Sequence, residues 1–316
     1  MNCLIAIVGP TGIGKSKLAI RLAQNFNGEI VSADSRQVYC RMDVGTAKPG
    51  PQELSLVPHH LINIVNPDED FSLAQYQELA WQAITDIQRR GKLPLLVGGS
   101  GLYVWSILEG WRMPQVPPDA EFRHSLEKKA ANLGRDKVYQ ELMEVDPVAA
   151  QRIDPGNVRR VIRALEVYKK SGVPFSQLQN KKGTSTYDTL IIGLTTNRQE
   201  LYRRIDLRVD EMIKQGLVDE VKKLVNMGFN FNLSAMSGIG YKQIGMFLRG
   251  ELTLPTAVQQ IKFETHRFVR HQYTWFRLKD ERIKWFDILN RPESDITSLT
   301  AQFLGKCQGV IYEEQL

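Results

Sequence analysis

Cysteine is scarce in this 316-residue chain. Its only three are Cys3, Cys40 and Cys307, far apart and in no CxxC pair. That spacing offers no zinc site and suggests no disulfide framework, and a reducing cytoplasm is the expected setting. Apolar runs long enough to cross a bilayer, about 18 residues, are missing too, so no membrane partner is expected. The start, Met1 to Val8, has no basic region ahead of its apolar run and does not read as a signal peptide. Internal repeats and low-complexity tracts are absent. Neither sign of charge dominates: 41 Lys plus Arg stand against 35 Asp plus Glu, a net +6, which permits a polyanionic partner without demanding one. With 42% hydrophobic and 24% charged residues the chain reads as an ordinary globular protein. Its length predicts two lobes, or a core with an insertion.

What is present is an alternation of short apolar runs and helical patterns. Leu4 to Val8, Glu29 to Ser32, Pro94 to Val97 and Thr189 to Leu194 read as buried strands. Between the first two, Leu18, Ala19, Leu22 and Ala23 recur at helical spacing, and Ser72 to Arg90 reads as a helix with Ser72 as its N-cap. This order predicts an α/β fold, a parallel sheet flanked by helices. The expected division is a core, first part, over 1–110, an inserted helical subdomain over 111–150 opened by Pro114, Pro117 and Pro118, core completion over 151–290, and a tail over 291–316. From Gln199 onward the chain reads as nearly all helix.

Gly9, Pro10, Thr11, Gly12, Ile13, Gly14, Lys15 and Ser16 match the phosphate-binding pattern G-x-x-x-x-G-K-[ST], placed between a strand and a helix as that motif requires. Glycines let backbone N–H groups converge on a phosphate, and the helix N-terminus adds its positive end. Lys15 is expected on phosphate oxygens, and the Ser16 hydroxyl on Mg²⁺. A dinucleotide fingerprint is set aside: Asp34 follows Gly14 at about the right distance, but the glycine spacing is wrong and Lys15-Ser16 has no role in it. Asp34 closes the second strand, at the sheet edge that carries ligands. There it serves either as a metal ligand or proton acceptor, or as a turn or cap aspartate.

GPTGIGKS, VSADSRQVY, MDVGTAKP, LVGGSGLYV, NVRRVIRALEVY, RVDEMIKQGLVDEV and GIGYKQ follow one another between residues 4 and 278. Jointly they resemble the tRNA dimethylallyltransferase family in its short bacterial form, without the zinc finger of eukaryotic members. The resemblance implies that the loop holds dimethylallyl diphosphate and that no phosphoryl group moves. The prenyl group would pass to the exocyclic amine of the adenosine 3′ of the anticodon in tRNA. It further implies Asp34 as the general base and Thr11 and Arg208 as diphosphate contacts, with Arg204, one turn earlier, the confounder. Asp34, Ser35, Arg36 and Gln37 would meet the flipped base, and Gly101 and Arg123 would also touch tRNA, making 111–150 a tRNA-contacting insertion.

The run Arg159, Arg160, Val161, Ile162 and Arg163 completes the expected RNA footprint. Its three arginines lie within about 100° on a helical wheel, with Val158, Val161, Ile162 and Leu165 opposite as core. In Lys262 to Arg277, Arg267, Arg270 and Arg277 share one side, while Phe268, Val269, Trp275 and Phe276 are expected in the core. His59-His60 reads as a structural pair. The expected state is a monomer. Three other readings share parts of this pattern: a P-loop small-molecule or nucleotide kinase, an adenylate isopentenyltransferase, and a non-catalytic RNA-binding NTPase.

Overall fold

The computed structural model describes residues 2–114, 116–178 and 187–307. The chain folds as two compact units, Met1–Leu108 with Thr186–Leu316, and Glu109–Ser185.

The first unit is built on a parallel sheet of β1 (Cys3–Val8), β2 (Gly28–Ser32), β3 (His59–His60), β4 (Leu93–Val97), β5 (Asp188–Thr195) and β6 (Ile283–Asp287). Their order is β3-β2-β4-β1-β5-β6. β1 is central: Ile5 pairs with Leu95 on one side and with Leu190 on the other. Every residue of β1, β2 and β4 is buried, as expected of parallel strands covered on both faces. The helix Lys15–Asn25 packs through Leu18, Ala19, Leu22 and Ala23, and Leu73–Arg89 is capped by Ser72, whose hydroxyl accepts from the Gln75 N–H. The expected strands and parallel sheet are therefore present. So is the structural use of the histidine pair: His60 Nε2 lies 2.7 Å from Glu29 Oε2, and His59 Nδ1 lies 2.8 Å from the Val57 carbonyl.

Three expectations change. β6 interrupts what reads as continuous helix; its alternation is weak because only Ile283 is buried. Within the stretch read as a tail, Glu293–Cys307 is helical. That helix brings Cys307 to Cys3 at the start of β1, and the two are paired as a disulfide, a contact across 304 residues that no sequence spacing announces.

The second unit is helical and runs well past residue 150. Helix Val158–Ser171 belongs to it, because Val161, Ile162, Ala164 and Leu165 close one apolar cluster with Leu126, Val138 and Leu142. Glu166 on the same helix is fully buried. It accepts from Arg123 at 2.8 and 2.9 Å, from the Asp119 N–H at 2.6 Å, and from Arg163. Burial pushes its carboxyl up, but these donors outweigh burial and hold it below the usual carboxylate range.

Candidate active site

Four strand ends meet at the carboxyl edge of the sheet. β1 runs into the phosphate loop, β2 into Asp34, β4 into Gly99-Ser100 and β5 into Thr195-Thr196. Sequential strands depart from β1 in opposite directions across the sheet, which opens the crevice at this edge. The loop conformation needs its glycines: Gly9, Gly12 and Gly14 all have positive φ, and a Cβ on Gly9 would lie 2.5 Å from the Leu194 carbonyl oxygen.

A cavity of about 280 Å³ lies beside the loop. Its polar lining includes Thr11, Asp34, Arg36, Ser100 and Arg208. Ile205, Val209, Met212, Ile239, Ile261 and Phe268 supply an apolar wall. Asp34, Thr11 and Arg208 are thus brought together in one cavity. Asp34 Oδ1 accepts from the Arg36 N–H at 2.8 Å, and no other hydrogen bond to this carboxylate is made among the described residues. The turn contact thus engages Oδ1 and leaves Oδ2 without a hydrogen bond among the described residues. Arg208 makes no hydrogen bond or ion pair among the described residues; burial lowers its pKa and the Asp34 carboxylate pulls it back. Arg204 is elsewhere. Its Nε donates to Glu200 Oε1 at 2.7 Å, and it lines a separate cavity with Gly14, Lys17 and Arg21.

Lys15 Nζ donates to the carbonyls of Gly9 and Pro10 at 2.9 and 2.8 Å. Burial brings its pKa down to about 7; Asp34 opposes that shift and Arg208 adds to it. Burial thus favours the neutral amine, and a bound phosphate anion favours the charged form. Binding of inorganic pyrophosphate at pH 8 is expected to draw in a proton through Lys15. Calorimetry in two buffers of different ionisation enthalpy reads this uptake, and Lys15→Met should remove that component.

Other expected site residues divide into those that line the cavity and those that hold the frame. Ser35 N–H donates to Ser100 Oγ at 3.1 Å. Arg36 reaches the Ser234 carbonyl at 2.8 Å while lining the cavity. Gln37 accepts from Ser32 Oγ and donates toward the Thr46 and Ala47 carbonyls, so its amide is engaged in holding the loop. Gly101 is buried under the Trp275 indole, and a Cβ there would meet the ring. Val161 and Ile162 have their side chains in the core of the helical unit, at 1% and 3% exposure, because they are the apolar stripe of that helix. Arg163 is drawn onto Glu166, so the free arginine face expected there reduces to Arg159 and Arg160, both exposed.

Sequence reasoning missed Gln272. Buried at 3% exposure, its Oε1 accepts from the Thr11 N–H at 2.8 Å and its Nε2 donates to the Gly99 carbonyl at 3.0 Å. It bolts the phosphate loop to the end of β4. A glutamine on the core face of the helix Leu254–Trp275 was the available signal. Phe268, expected in the core, is 39% exposed and lines the cavity instead.

The model of the IPP transferase family matches residues 37–279. The chain is 54% identical over 274 residues to the tRNA dimethylallyltransferase of Roseiflexus sp. (strain RS-1), covering 87% of this chain and 90% of that one. It is 48% identical over 301 residues to that of Dehalococcoides mccartyi, covering 95% and 92%. The solved tRNA isopentenylpyrophosphate transferase of Bacillus halodurans superposes with a TM-score of 0.72 at 41% identity, covering 98% of this chain and 99% of that one. A eukaryotic dimethylallyltransferase acting on tRNA superposes with a TM-score of 0.81 at 28% identity, covering 100% and 82%.

Proposed function

The chain belongs to the IPP transferase family, and on that premise we propose how it performs tRNA dimethylallylation. A dimethylallyl group passes from dimethylallyl diphosphate to the exocyclic amine of the adenosine 3′ of the anticodon, and diphosphate leaves. The observation that carries this reading is the meeting of Thr11, Asp34 and Arg208 in one cavity with an apolar wall. A phosphate-binding end, a proton acceptor and a hydrocarbon-compatible surface are what such a transfer needs.

An exocyclic adenine amine is a poor nucleophile because its lone pair is delocalised into the ring. As its nitrogen forms a bond to C1 of the prenyl group, the C1–O bond to the diphosphate breaks. The amine proton goes to the Asp34 carboxylate. The departing diphosphate gathers negative charge, which the loop N–H groups, Lys15, Thr11 and Arg208 are placed to stabilise. Their value is greatest where the site is preorganised: Gln272 fixes Thr11, and Arg208 lies buried near Asp34 with no hydrogen bond or ion pair among the described residues. The target base has to leave its stack to reach Asp34.

The residues fit Mg²⁺ held largely by the substrate. Among the described residues no group of three His, Cys, Asp or Glu side chains could hold a metal alone, and Ser16 is exposed in the first turn of its helix. One hydroxyl plus phosphate oxygens is an ordinary Mg²⁺ donor set. When bound, Mg²⁺ neutralises charge on the diphosphate.

For the helical unit the proposal assigns tRNA contact to Arg159 and Arg160, with Arg163 and Arg123 spending their charge on Glu166. Arg159→Glu with Arg160→Glu is expected to weaken tRNA binding and to lower the steepness of its salt dependence by about two phosphate contacts. Filter binding across a salt series measures it, and an unaltered slope removes the pair from the footprint. The proposal includes a monomer; among the described residues no helix is long and apolar enough to cross a membrane.

The reaction itself is tested by incubating the protein with unmodified tRNA, Mg²⁺ and dimethylallyl diphosphate, followed by nucleoside mass spectrometry. One prenyl mass gained on adenosine is expected. No gain, together with ATP turnover, would replace this reading with a kinase or NTPase.

A further inference from the structure

The segment Met42 to Lys48 forms one wall of the cavity through Gly45 and Thr46. It has almost no regular structure of its own, yet it is held from three sides. Lys48, its side chain only 3% exposed, donates to the Tyr39 carbonyl, to Asp43 Oδ1 at 2.8 Å and to Asn63 Oδ1 at 2.6 Å. Thr46 Oγ1 donates to the Met42 carbonyl at 2.6 Å. The third hold comes from outside the segment. Glu220, in the first turn of the helix Leu217–Asn226, accepts the backbone N–H groups of Asp43 at 2.8 Å, Val44 at 2.7 Å and Gly45 at 3.1 Å.

Three successive N–H groups converging on one anion form a nest, and each bond is charge-assisted. Here the anion is a side chain of the same protein. The same carboxylate accepts the Tyr241 hydroxyl at 2.6 Å. Tyr241 is buried, and it follows directly on Ser237, Ile239 and Gly240, which line the cavity from another direction. A Cβ on Gly45 would lie 2.5 to 2.7 Å from the Tyr241 ring and hydroxyl, so the two walls touch where Glu220 joins them. One carboxylate thus ties two walls of the reaction cavity, and none of the catalytic roles assigned above uses it.

We propose that Glu220 is a positioning residue that fixes the Gly45–Thr46 and Ser237–Gly240 walls of the cavity and thereby sets which prenyl donor fits. The inference rests on the reading of this cavity as a prenyl-transfer site. With the diphosphate end of the donor at Thr11 and Arg208, the other walls of the same cavity bound the room left for the tail. A wall held by three backbone bonds to a single charge moves when that charge is lost.

The test compares wild type, Glu220→Gln and Tyr241→Phe with dimethylallyl diphosphate and with geranyl diphosphate, on unmodified tRNA. Glu220→Gln is expected to lower kcat/KM for dimethylallyl diphosphate by about tenfold to a hundredfold through misplacement of the wall. Its ratio of geranyl to dimethylallyl transfer should rise several-fold, with tRNA affinity unchanged. Tyr241→Phe, which keeps the ring against Gly45, should shift the ratio in the same direction by less. A folded Glu220→Gln protein with the wild-type ratio overturns the proposal even if its melting temperature falls, since a merely structural residue would do that. Should Glu220→Gln fail to fold, an unshifted ratio in Tyr241→Phe overturns it. Wild type that makes no prenyl product would instead remove the functional reading beneath it.

Discussion

Asp34→Asn is expected to lower prenyl transfer by about a thousandfold, within the range for loss of a general base, while tRNA still binds. The asparagine is the informative replacement. Its side-chain oxygen still accepts the Arg36 N–H that Asp34 Oδ1 accepts now, so the turn after β2 is kept. What it loses is the capacity to take the amine proton. Asp34→Ala loses both and should be no less impaired. If the asparagine variant turns over like wild type while the alanine variant fails, the carboxylate serves the turn alone and another group takes the proton. Single-turnover transfer of a labelled prenyl group to unmodified tRNA, read beside a binding isotherm, separates these outcomes.

Arg208→Ala should cost about a hundredfold to a thousandfold in kcat, the scale for removing one donor from a preorganised anion site. Arg204→Ala, one helical turn away, should stay near wild type. In sequence the two are interchangeable; in the fold they face different cavities. Arg204 is tied to Glu200, which also takes Arg203, so its charge is already partly compensated. Arg208 lies beside Asp34 with no hydrogen-bond partner among the described residues, in a setting buried enough to lower its pKa. Steady-state kinetics with donor and tRNA varied separately checks the pair. Equal losses in both variants would mean that the second cavity, with Gly14 and Lys17, holds part of the diphosphate.

Much of this site is legible in the sequence. The phosphate loop announces itself because its chemistry demands contiguous residues, and Asp34 because β2 carries it to the same edge. The parallel sheet follows from short apolar runs alternating with helical periodicity. β6 escaped since an edge strand only partly buried lacks the continuous apolar signature of β1 and β4. The arginine cluster at 159–163 was legible as a face but not as a set of partners. Glu166 lies on the helix's buried side, and its charge is drawn on by Arg163 one turn away and by Arg123 some 43 residues earlier.

The sequence by itself determined the fold class, the phosphate-loop motif and the place of Asp34 at the end of β2, because each depends on local order: a periodicity, a glycine pattern, a residue closing a strand. Only the tertiary structure decided which arginine serves the cavity, that Gln272 clamps the phosphate loop, that Cys3 meets Cys307, and that Glu220 binds three backbone amides far from it in the chain. Those are contacts between separate elements. Their distances are set by how helices pack on the sheet, and no spacing along one chain encodes them.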